Sequence, residues 1–286
     1  MWAGLQVLGL VVLVAALLRQ IQWAAVVASY CGVAVAEAIA VLVAVLAAMG
    51  LRLWKWQVQL RAMDLARVPA STIARGFLLG VLLGAVTPLR AGEFYRIAAA
   101  TPGAGEARGR AAAGVLLDKG YELLVVLVTL AVGAVASGMP AAVSLGAWGL
   151  AAGIAWLVLG RARGRGRVLG VLAAAKRCLT AGDQLRLLAA TTGAHLLNLA
   201  AGLVIYRAFG ELSVGDYLLR IPMITLLNIL PVTIGGFGLR ELTAMGLFGT
   251  IAYPAAGAAV AAAALFFAAN VLPALVLLPV TIRRRA

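Results

Sequence analysis

The sequence predicts an all-α polytopic membrane protein, organised as a single transmembrane domain over residues 1–286. Of its 286 residues, 64% are hydrophobic and only 12% are charged, a composition typical of integral membrane proteins. Several apolar stretches approach or exceed the ~20 residues that a helix needs to cross a bilayer. Two other stretches are interrupted by proline, glycine and charged residues, which predicts re-entrant helical hairpins. We therefore expect about six full crossings plus two opposed hairpins.

The formal net charge of +14 indicates cytoplasmic loops rich in lysine and arginine. These basic residues are scattered among apolar spans, which argues against a nucleic-acid partner. Cys31 and Cys178 form neither a disulfide framework nor a metal motif, so we expect no metal and no cofactor. Residues 1–18 lack a basic leader and a cleavage site, which favours a first span over a signal peptide.

Six apolar stretches are candidates for crossing helices, the first of them marginal in length. Arg52–Arg67 follows the second stretch and carries Trp54 and Trp56 beside basic residues, which is typical of an interfacial helix. The six stretches are Trp2–Leu18, Ala24–Met49, Gly114–Ala136, Pro140–Leu159, Arg186–Phe209 and Ala255–Val280.

The two interrupted stretches predict the hairpin tips. The segment Thr72–Thr101 is broken by TPLRAGEFYR at Thr87–Arg96. The segments Tyr217–Leu230 and Leu242–Ala252 are separated by PVTIGGFGLRE at Pro231–Glu241. Proline removes a backbone donor and glycine permits conformations that a helix interior does not use. The tip residues are Pro88, Gly92, Pro231, Gly235, Gly236 and Gly238.

The distribution of basic residues supports two hairpins that return to the side they entered from. With both termini cytoplasmic, the basic loop at Arg161–Arg177 then lies inside, whereas a full crossing at the first hairpin would place it outside. Each half, residues 1–138 and 139–286, contains an odd number of crossings, so the second half is inverted. Opposed hairpins in an inverted repeat are an architecture of secondary transporters. The predicted location is the cytoplasmic membrane.

The first tip carries Arg90, Glu93 and Arg96 at spacings of three, so Glu93 is expected to hold one of the two arginines. Gly92 is expected to permit a tight turn. A guanidinium binds phosphate through two hydrogen bonds, and a helix start adds partial positive charge. The tip is therefore either a cradle for an anionic headgroup or an ion-pair network that locks the hairpin.

The second tip carries Arg240 and Glu241. Adjacent residues on a helix point about 100° apart, so we expect these two side chains not to pair with each other. Arg240 is the predicted ligand-facing residue, and Glu241 is predicted to brace it.

Supporting charges lie in the third crossing span, in its first two turns. Asp118 and Glu122 share a helix face with Lys119 beside them, and either carboxylate could accept Arg90 or Arg96. Since they lie near the cytoplasmic end, solvation is an equal alternative.

Glu37 falls in the middle of the predicted span Ala24–Met49. A lone carboxyl there is protonated unless it is paired, so Glu37 is either a proton-coupling candidate or, preferably, the partner of a hairpin arginine. His195 lies in an apolar span and is expected to form an interhelical hydrogen bond.

Three ordered motifs resemble the lysylphosphatidylglycerol synthase/flippase transmembrane domain family. They are TPLRAGEFYR at Thr87–Arg96, LLDKGYELL around Asp118 and PVTIGGFGLRE at Pro231–Glu241, with Lys119 where the family usually has arginine. The resemblance covers nearly the whole chain and implies a membrane domain that moves lipids between leaflets. No synthase domain follows, so the aminoacylation reaction is not expected. The positions carried over are Arg90, Gly92, Glu93, Arg96, Asp118, Gly235, Gly236, Gly238, Arg240 and Glu241.

The preferred interpretation is a lipid flippase that holds an anionic or zwitterionic headgroup between Arg90, Arg96 and Arg240. The lipid would be a phospholipid, an aminoacyl-phospholipid or a polyprenyl-linked lipid. The alternative is a non-transporting partner that scaffolds a lipid synthase or glycosyltransferase through the basic loop at Arg161–Arg177. An enzyme acting on headgroups ranks third, because no HExxH, GxSxG or Walker motif and no pair of metal-holding carboxylates is present.

Overall fold

The computed structural model describes residues 32–65, 68–87, 91–102, 105–159, 173, 176–228 and 237–283. These residues form helices and connecting turns, without a strand among them. The predicted first span, Trp2–Leu18, lies outside the described residues. The elements are α1 (Val35–Ala62), α2 (Ala70–Val86), a 3₁₀ helix (Ala91–Phe94), α3 (Tyr95–Ala100), α4 (Glu106–Ala136), α5 (Ala141–Leu159), α6 (Ala181–Arg207), α7 (Val214–Leu227), α8 (Leu239–Gly249), α9 (Ala255–Phe266), a π-helical turn (Phe267–Val271) and α10 (Leu272–Arg283).

Within the described ranges, four helical segments are long and apolar enough to cross a membrane. They are Val35–Ala62, Ala141–Val158, Ala181–Arg207 and Ala255–Thr281, and they overlap four of the predicted crossings. The prediction of an all-α, multi-pass membrane protein is therefore confirmed. The predicted crossing Gly114–Ala136 lies within α4, but this helix begins at Glu106. Asp118 consequently lies about three turns from the helix start, and its prediction in the first two turns is wrong.

Helix α1 joins the described part of the predicted span Ala24–Met49 to most of the predicted interfacial helix Arg52–Arg67. The chain has no helix at residues 32–34 and then runs without interruption from Val35 to Ala62. Lys55 and Trp56 on this helix are buried, with only 3% and 1% of their surface exposed. These two side chains therefore face the interior of the protein, and the interfacial location of the helix stays a prediction.

Glu37 lies in the first turn of α1 and is exposed in the described structure, not in the middle of a span. Its carboxylate accepts a hydrogen bond from the Ala34 N–H at 3.2 Å. The first backbone N–H groups of a helix lack intrahelical acceptors, and an acidic side chain in the first turn satisfies one of them. The contact that the described residues give Glu37 is thus a helix cap, and the expected pairing with an arginine is not found among them.

The first hairpin, formed by α2 and the return segment of the 3₁₀ helix and α3, is packed at very short range. A Cβ added to Gly92 would lie 2.2 Å from the carbonyl carbon of Leu83, and one added to Gly76 would lie 2.2 Å from the Ala99 Cβ. Gly92 does not adopt a positive φ. In the described residues Gly92 permits the close approach of the two arms of the hairpin, and the tight turn at this tip stays a prediction because residues 88–90 lie outside them.

The second hairpin, formed by α7 and α8, is held by a buried arginine. The Arg220 Nε donates to the Leu247 carbonyl of α8 at 2.9 Å, and its Nη1 donates to the Asp216 carboxylate one turn earlier on α7. Helix α8 begins after Gly238, whose φ of 85° is one that glycine adopts without strain. The unusual backbone predicted at this tip is confirmed for Gly238.

Each hairpin packs against the last helix of the other half. A Cβ added to Gly133 of α4 would lie 2.3 Å from the backbone of Leu218 in α7. In the same way, Ala274 of α10 belongs to the hydrophobic cluster that contains Phe77 and Leu78 of α2. The helices of the two halves are consequently interleaved, and each hairpin contacts both halves.

We expect Gly92→Ala to lower the melting temperature of the purified protein, with a free-energy cost of about 1–3 kcal/mol, because the added methyl group meets the α2 backbone. Gly146→Ala on α5 is the matched control, since no atom lies within 4 Å of its added Cβ. The control should gain up to about 1 kcal/mol through helix propensity. Thermal unfolding in detergent measures both, and equal melting temperatures would contradict the close packing.

Candidate functional site

A buried carboxylate joins the helices around the candidate site. Asp118 of α4 is 3% exposed, with its Oδ1 2.5 Å from the Lys55 Nζ of α1 and its Oδ2 3.2 Å from the Arg96 Nη2 of α3. Lys55 also donates to the Thr191 Oγ1 of α6 at 3.1 Å. A charge removed from water is tolerated only with such partners. Asp118 therefore connects the first hairpin to α1 and, through Lys55, to α6.

Arg96 is enclosed by aromatic rings as well as by its ion pair. Its guanidinium carbon lies 4.8 Å from the ring centroid of Trp56 and 5.6 Å from that of Phe77, distances at which cation–π attraction operates. The prediction that Asp118 accepts Arg96 is confirmed, and the solvated alternative is wrong for Asp118. The carboxylate that pairs with Arg96 is thus Asp118 and not Glu93, while Arg90, the other predicted partner of Glu93, lies outside the described residues.

Glu93 instead pairs with Lys119. The Lys119 Nζ lies 2.9 Å from the Glu93 Oε2 and 3.0 Å from the Glu122 Oε2, and Glu122 lies 3.8 Å from Lys55. Glu122 therefore pairs with Lys119 and not with Arg96, and its other predicted partner, Arg90, lies outside the described residues. We define the charged cluster as Lys55, Glu93, Arg96, Asp118, Lys119 and Glu122.

Arg240 and Glu241 form a buried pair, so the prediction that they do not pair is wrong. The Arg240 Nε and Nη2 donate to the Glu241 Oε1 at 3.0 and 2.8 Å. Glu241 is the third residue of α8, and its Oε2 turns back to accept the Gly238 N–H at 2.6 Å. This capping contact brings the carboxylate within reach of the long arginine side chain. Arg240 also lies 4.0 Å from the ring centroid of Phe266.

The sequence did not indicate that Arg52, Lys55 and Asn270 belong to the site, although Asn270 was expected to form an interhelical hydrogen bond. The Arg52 Nη1 donates to the Asn270 Oδ1 at 3.1 Å, which links α1 to the π-helical turn. A signal was present, because Arg52, Lys55 and Gln59 are spaced by three and four residues and so share one helix face. Gln59 continues this polar face by donating to the Gly114 carbonyl at 2.6 Å.

A cavity of about 800 Å³ lies beside the charged cluster. Both hairpins line it, with Glu93 and Phe94 from the first and Thr225 and Arg240 from the second. Apolar side chains of α4, α5, α6 and α7 form most of its walls. Its size and its few charged groups on a largely apolar surface are typical of small-molecule sites.

The remaining predicted positions divide into two groups. His195 lines the cavity and shares a hydrogen bond with the Thr129 hydroxyl of α4 at 3.0 Å, as expected for an interhelical contact. The others lie outside the described residues, and their roles stay predictions. They are Pro88, Arg90, Pro231, Gly235, Gly236 and the basic loop at Arg161–Arg167.

Asp118→Asn is expected to lower the free energy of unfolding by about 3–5 kcal/mol, because Lys55 and Arg96 then stay buried without their shared counter-charge. Lys119→Gln is the comparison, since this side chain is 42% exposed and its pairs contribute about 1 kcal/mol or less. Denaturation of the two variants in detergent measures the difference. A loss for Asp118→Asn no larger than that for Lys119→Gln would contradict the central place of this carboxylate.

Comparison with known proteins agrees with the motif resemblance. The family model described as the lysylphosphatidylglycerol synthase TM region matches residues 1–277. This range includes both hairpins, the charged cluster and the residues that line the cavity. A search of curated proteins gives no significant match. Since the match spans nearly the whole chain, this multi-pass membrane protein belongs to the family of the lysylphosphatidylglycerol synthase transmembrane region.

Proposed function

We propose that the protein moves lipids with an anionic or zwitterionic headgroup across the cytoplasmic membrane. The observation that carries this proposal is the cavity lined by both hairpins, where charged side chains adjoin largely apolar walls. A headgroup would occupy the charged side, while acyl or prenyl tails stay against apolar surface. Membership of a family named for a lipid-synthase membrane region agrees with a lipid as the ligand.

In this proposal the two hairpins are re-entrant and the halves 1–138 and 139–286 are inverted repeats. Helices α2, α7 and α8 have 17, 14 and 11 residues, short of the ~20 that a crossing needs. Each hairpin packs on the last helix of the other half. Two halves related by a pseudo-two-fold axis would make such equivalent contacts with each other. Both termini are then cytoplasmic.

The proposed site residues have different tasks. Arg96 is 5% exposed and neutralised by Asp118, so it positions the first hairpin. The Arg240–Glu241 pair does the same for the second hairpin while Arg240 lines the cavity. Glu93, Lys119 and Glu122 line the cavity with partly exposed side chains, so they are the charged-cluster residues whose ion pairs a headgroup would rearrange on entering.

Movement would follow from rocking of one half against the other about the hairpins, as in transporters built from inverted repeats. Burying the charges as ion pairs lowers the cost of holding them at membrane depth. The ion pairs that span helices, such as Lys119 with Glu93, are the contacts that such rocking would break and re-form.

Thr225→Trp is expected to abolish transport, because its indole would obstruct the cavity beside Arg240 and α7 without changing a charge. Purified protein in liposomes is assayed with headgroup-labelled lipids and a membrane-impermeant quencher, which reports the fraction of lipid that changes leaflet. Wild type should move lipid faster than protein-free vesicles, and Thr225→Trp should return the rate to that background.

Leu145→Trp is the matched control for this experiment. Leu145 is 70% exposed on α5 and does not line the cavity, so the same added indole should leave transport unchanged. Folded wild-type protein that moves none of a panel of anionic and zwitterionic lipids would overturn the proposed function. Transport by Thr225→Trp at the wild-type rate would overturn the assignment of this cavity as the route.

A further inference from the structure

We propose that Arg52, held in place by Asn270, binds the phosphate of the lipid headgroup, and that the preferred ligand is a singly charged phosphodiester lipid. Arg52 lines the cavity from α1. The identification of the ligand as a lipid rests on the proposed function. The binding step itself is measurable without transport, so the two proposals can fail separately.

Arg52 differs from the other cations that line the cavity in the described structure. Lys55, Lys119 and Arg240 each have a carboxylate oxygen at 2.5, 2.9 and 2.8 Å. Arg52 attracts the Glu122 carboxylate, but the described residues give it no ion pair within 4 Å, and its hydrogen-bonded side-chain partner among them is the neutral amide of Asn270. Its positive charge is consequently less closely neutralised than the charges of Lys55, Lys119 and Arg240.

Asn270 is built to hold this guanidinium. Its Nδ2 donates to the Phe266 carbonyl at 3.1 Å, while its Oδ1 accepts from the Arg52 Nη1. A carbonyl only accepts and a guanidinium only donates, so the two contacts fix which way the amide points. Asn270 belongs to the π-helical turn, a rare irregularity that is frequent at functional sites.

The contact with Asn270 uses Nη1 and leaves the Nε and Nη2 edge of Arg52 for a ligand. That edge presents two parallel donors, which match two phosphate oxygens in a bidentate pair. A lysine could supply the charge but not this geometry. Arg52 is therefore suited to a phosphate or a carboxylate, and in the lipid of the proposed function the phosphate is the group that fits.

The charges around Arg52 select a ligand with one negative charge. Among the described residues, Arg52 and the charged cluster together contain four cations and three carboxylates, and Arg240 is balanced by Glu241. A phosphodiester with an uncharged headgroup offsets the one remaining positive charge. A zwitterionic headgroup brings its own cation into this region and leaves the balance unchanged, so it is expected to bind less tightly. The four cations are Arg52, Lys55, Arg96 and Lys119, and the three carboxylates are Glu93, Asp118 and Glu122.

The test compares binding of short-chain phosphatidylmethanol with that of phosphatidylcholine carrying the same acyl chains, by calorimetric titration of the full-length protein in detergent. Phosphatidylmethanol has one negative charge and no headgroup cation. Wild type should bind it about tenfold more tightly, because its net negative charge offsets the remaining positive charge, whereas the choline cation of phosphatidylcholine leaves the balance unchanged. Dimethyl phosphate, the same phosphodiester without tails, should bind far more weakly, and equal affinity would overturn the lipid as the ligand.

Arg52→Gln should abolish the preference for phosphatidylmethanol. Asn270→Asp should abolish it as well, because the new carboxylate pairs with Arg52 and removes the excess charge while nearly keeping the shape of the side chain. Asn270→Asp decides the matter if Arg52→Gln does not fold, and melting temperatures establish which variants are folded. Arg186→Gln is the control, since this arginine is 64% exposed at the start of α6 and should keep the wild-type preference.

Equal binding of the two lipids by wild-type protein would overturn the proposed preference. A preference that survives in Asn270→Asp would overturn the role of Arg52. Unchanged binding in Arg52→Gln, alongside normal transport, would overturn this inference and leave the proposed function standing. A preference that depends on Arg52 in a protein that moves no lipid would overturn the proposed function and support this inference.

Discussion

The two ion pairs of Asp118 join α4 to α1 and to the first hairpin. One carboxylate oxygen faces Lys55 of α1 and the other faces Arg96 of the first hairpin, at 2.5 and 3.2 Å. Two cations on one buried carboxylate leave a positive surplus, which Glu122, 3.8 Å from Lys55, helps to offset. The short return segment of the first hairpin is thus held to α4 by the ion pair of Arg96 with Asp118, and through Asp118 to α1.

This arrangement explains how a cavity with charged walls can exist among apolar helices. The charges belong to helices that also bury large apolar faces, so packing holds the backbone and ion pairs satisfy the polar groups. In the second hairpin, the buried charges are satisfied by neighbouring residues of α8, because Glu241 both caps this helix and neutralises Arg240. The glycines of the first hairpin, such as Gly92, bring its two arms close enough for Arg96 to reach Asp118.

Much of this was predictable from the sequence. Proline, glycine and short apolar segments indicate both interrupted regions, and the four-residue spacing of Asp118 and Glu122 predicts a charged helix face that meets Arg96. Arg52 and Lys55 were not predicted as site residues, because two tryptophans beside basic residues have the pattern of a membrane surface. Only the tertiary partners of these cations distinguish a buried polar face from an interfacial one.

The pairing of Arg240 with Glu241 was also outside the reach of the sequence rules. The rule that adjacent side chains diverge holds within a helix, but at a helix start an acidic side chain turns back toward the unpaired N–H groups. The pairing of Arg240 with Glu241 therefore depends on the residue at which α8 begins. A sequence pattern predicts that a helix is present more reliably than it predicts the first residue of that helix.

The cavity lined by the hairpins should open to both faces of the membrane if it carries a lipid headgroup across. Thiol accessibility at Phe94 tests this. This side chain is 59% exposed and lines the cavity. In a background with Cys31 and Cys178 replaced by serine, Phe94→Cys should react with a membrane-impermeant thiol reagent added from either side, whereas Leu145→Cys on the outer surface of α5 should react from neither. Reaction of Phe94→Cys from one side alone under all lipid conditions would contradict alternating access and with it the account of transport.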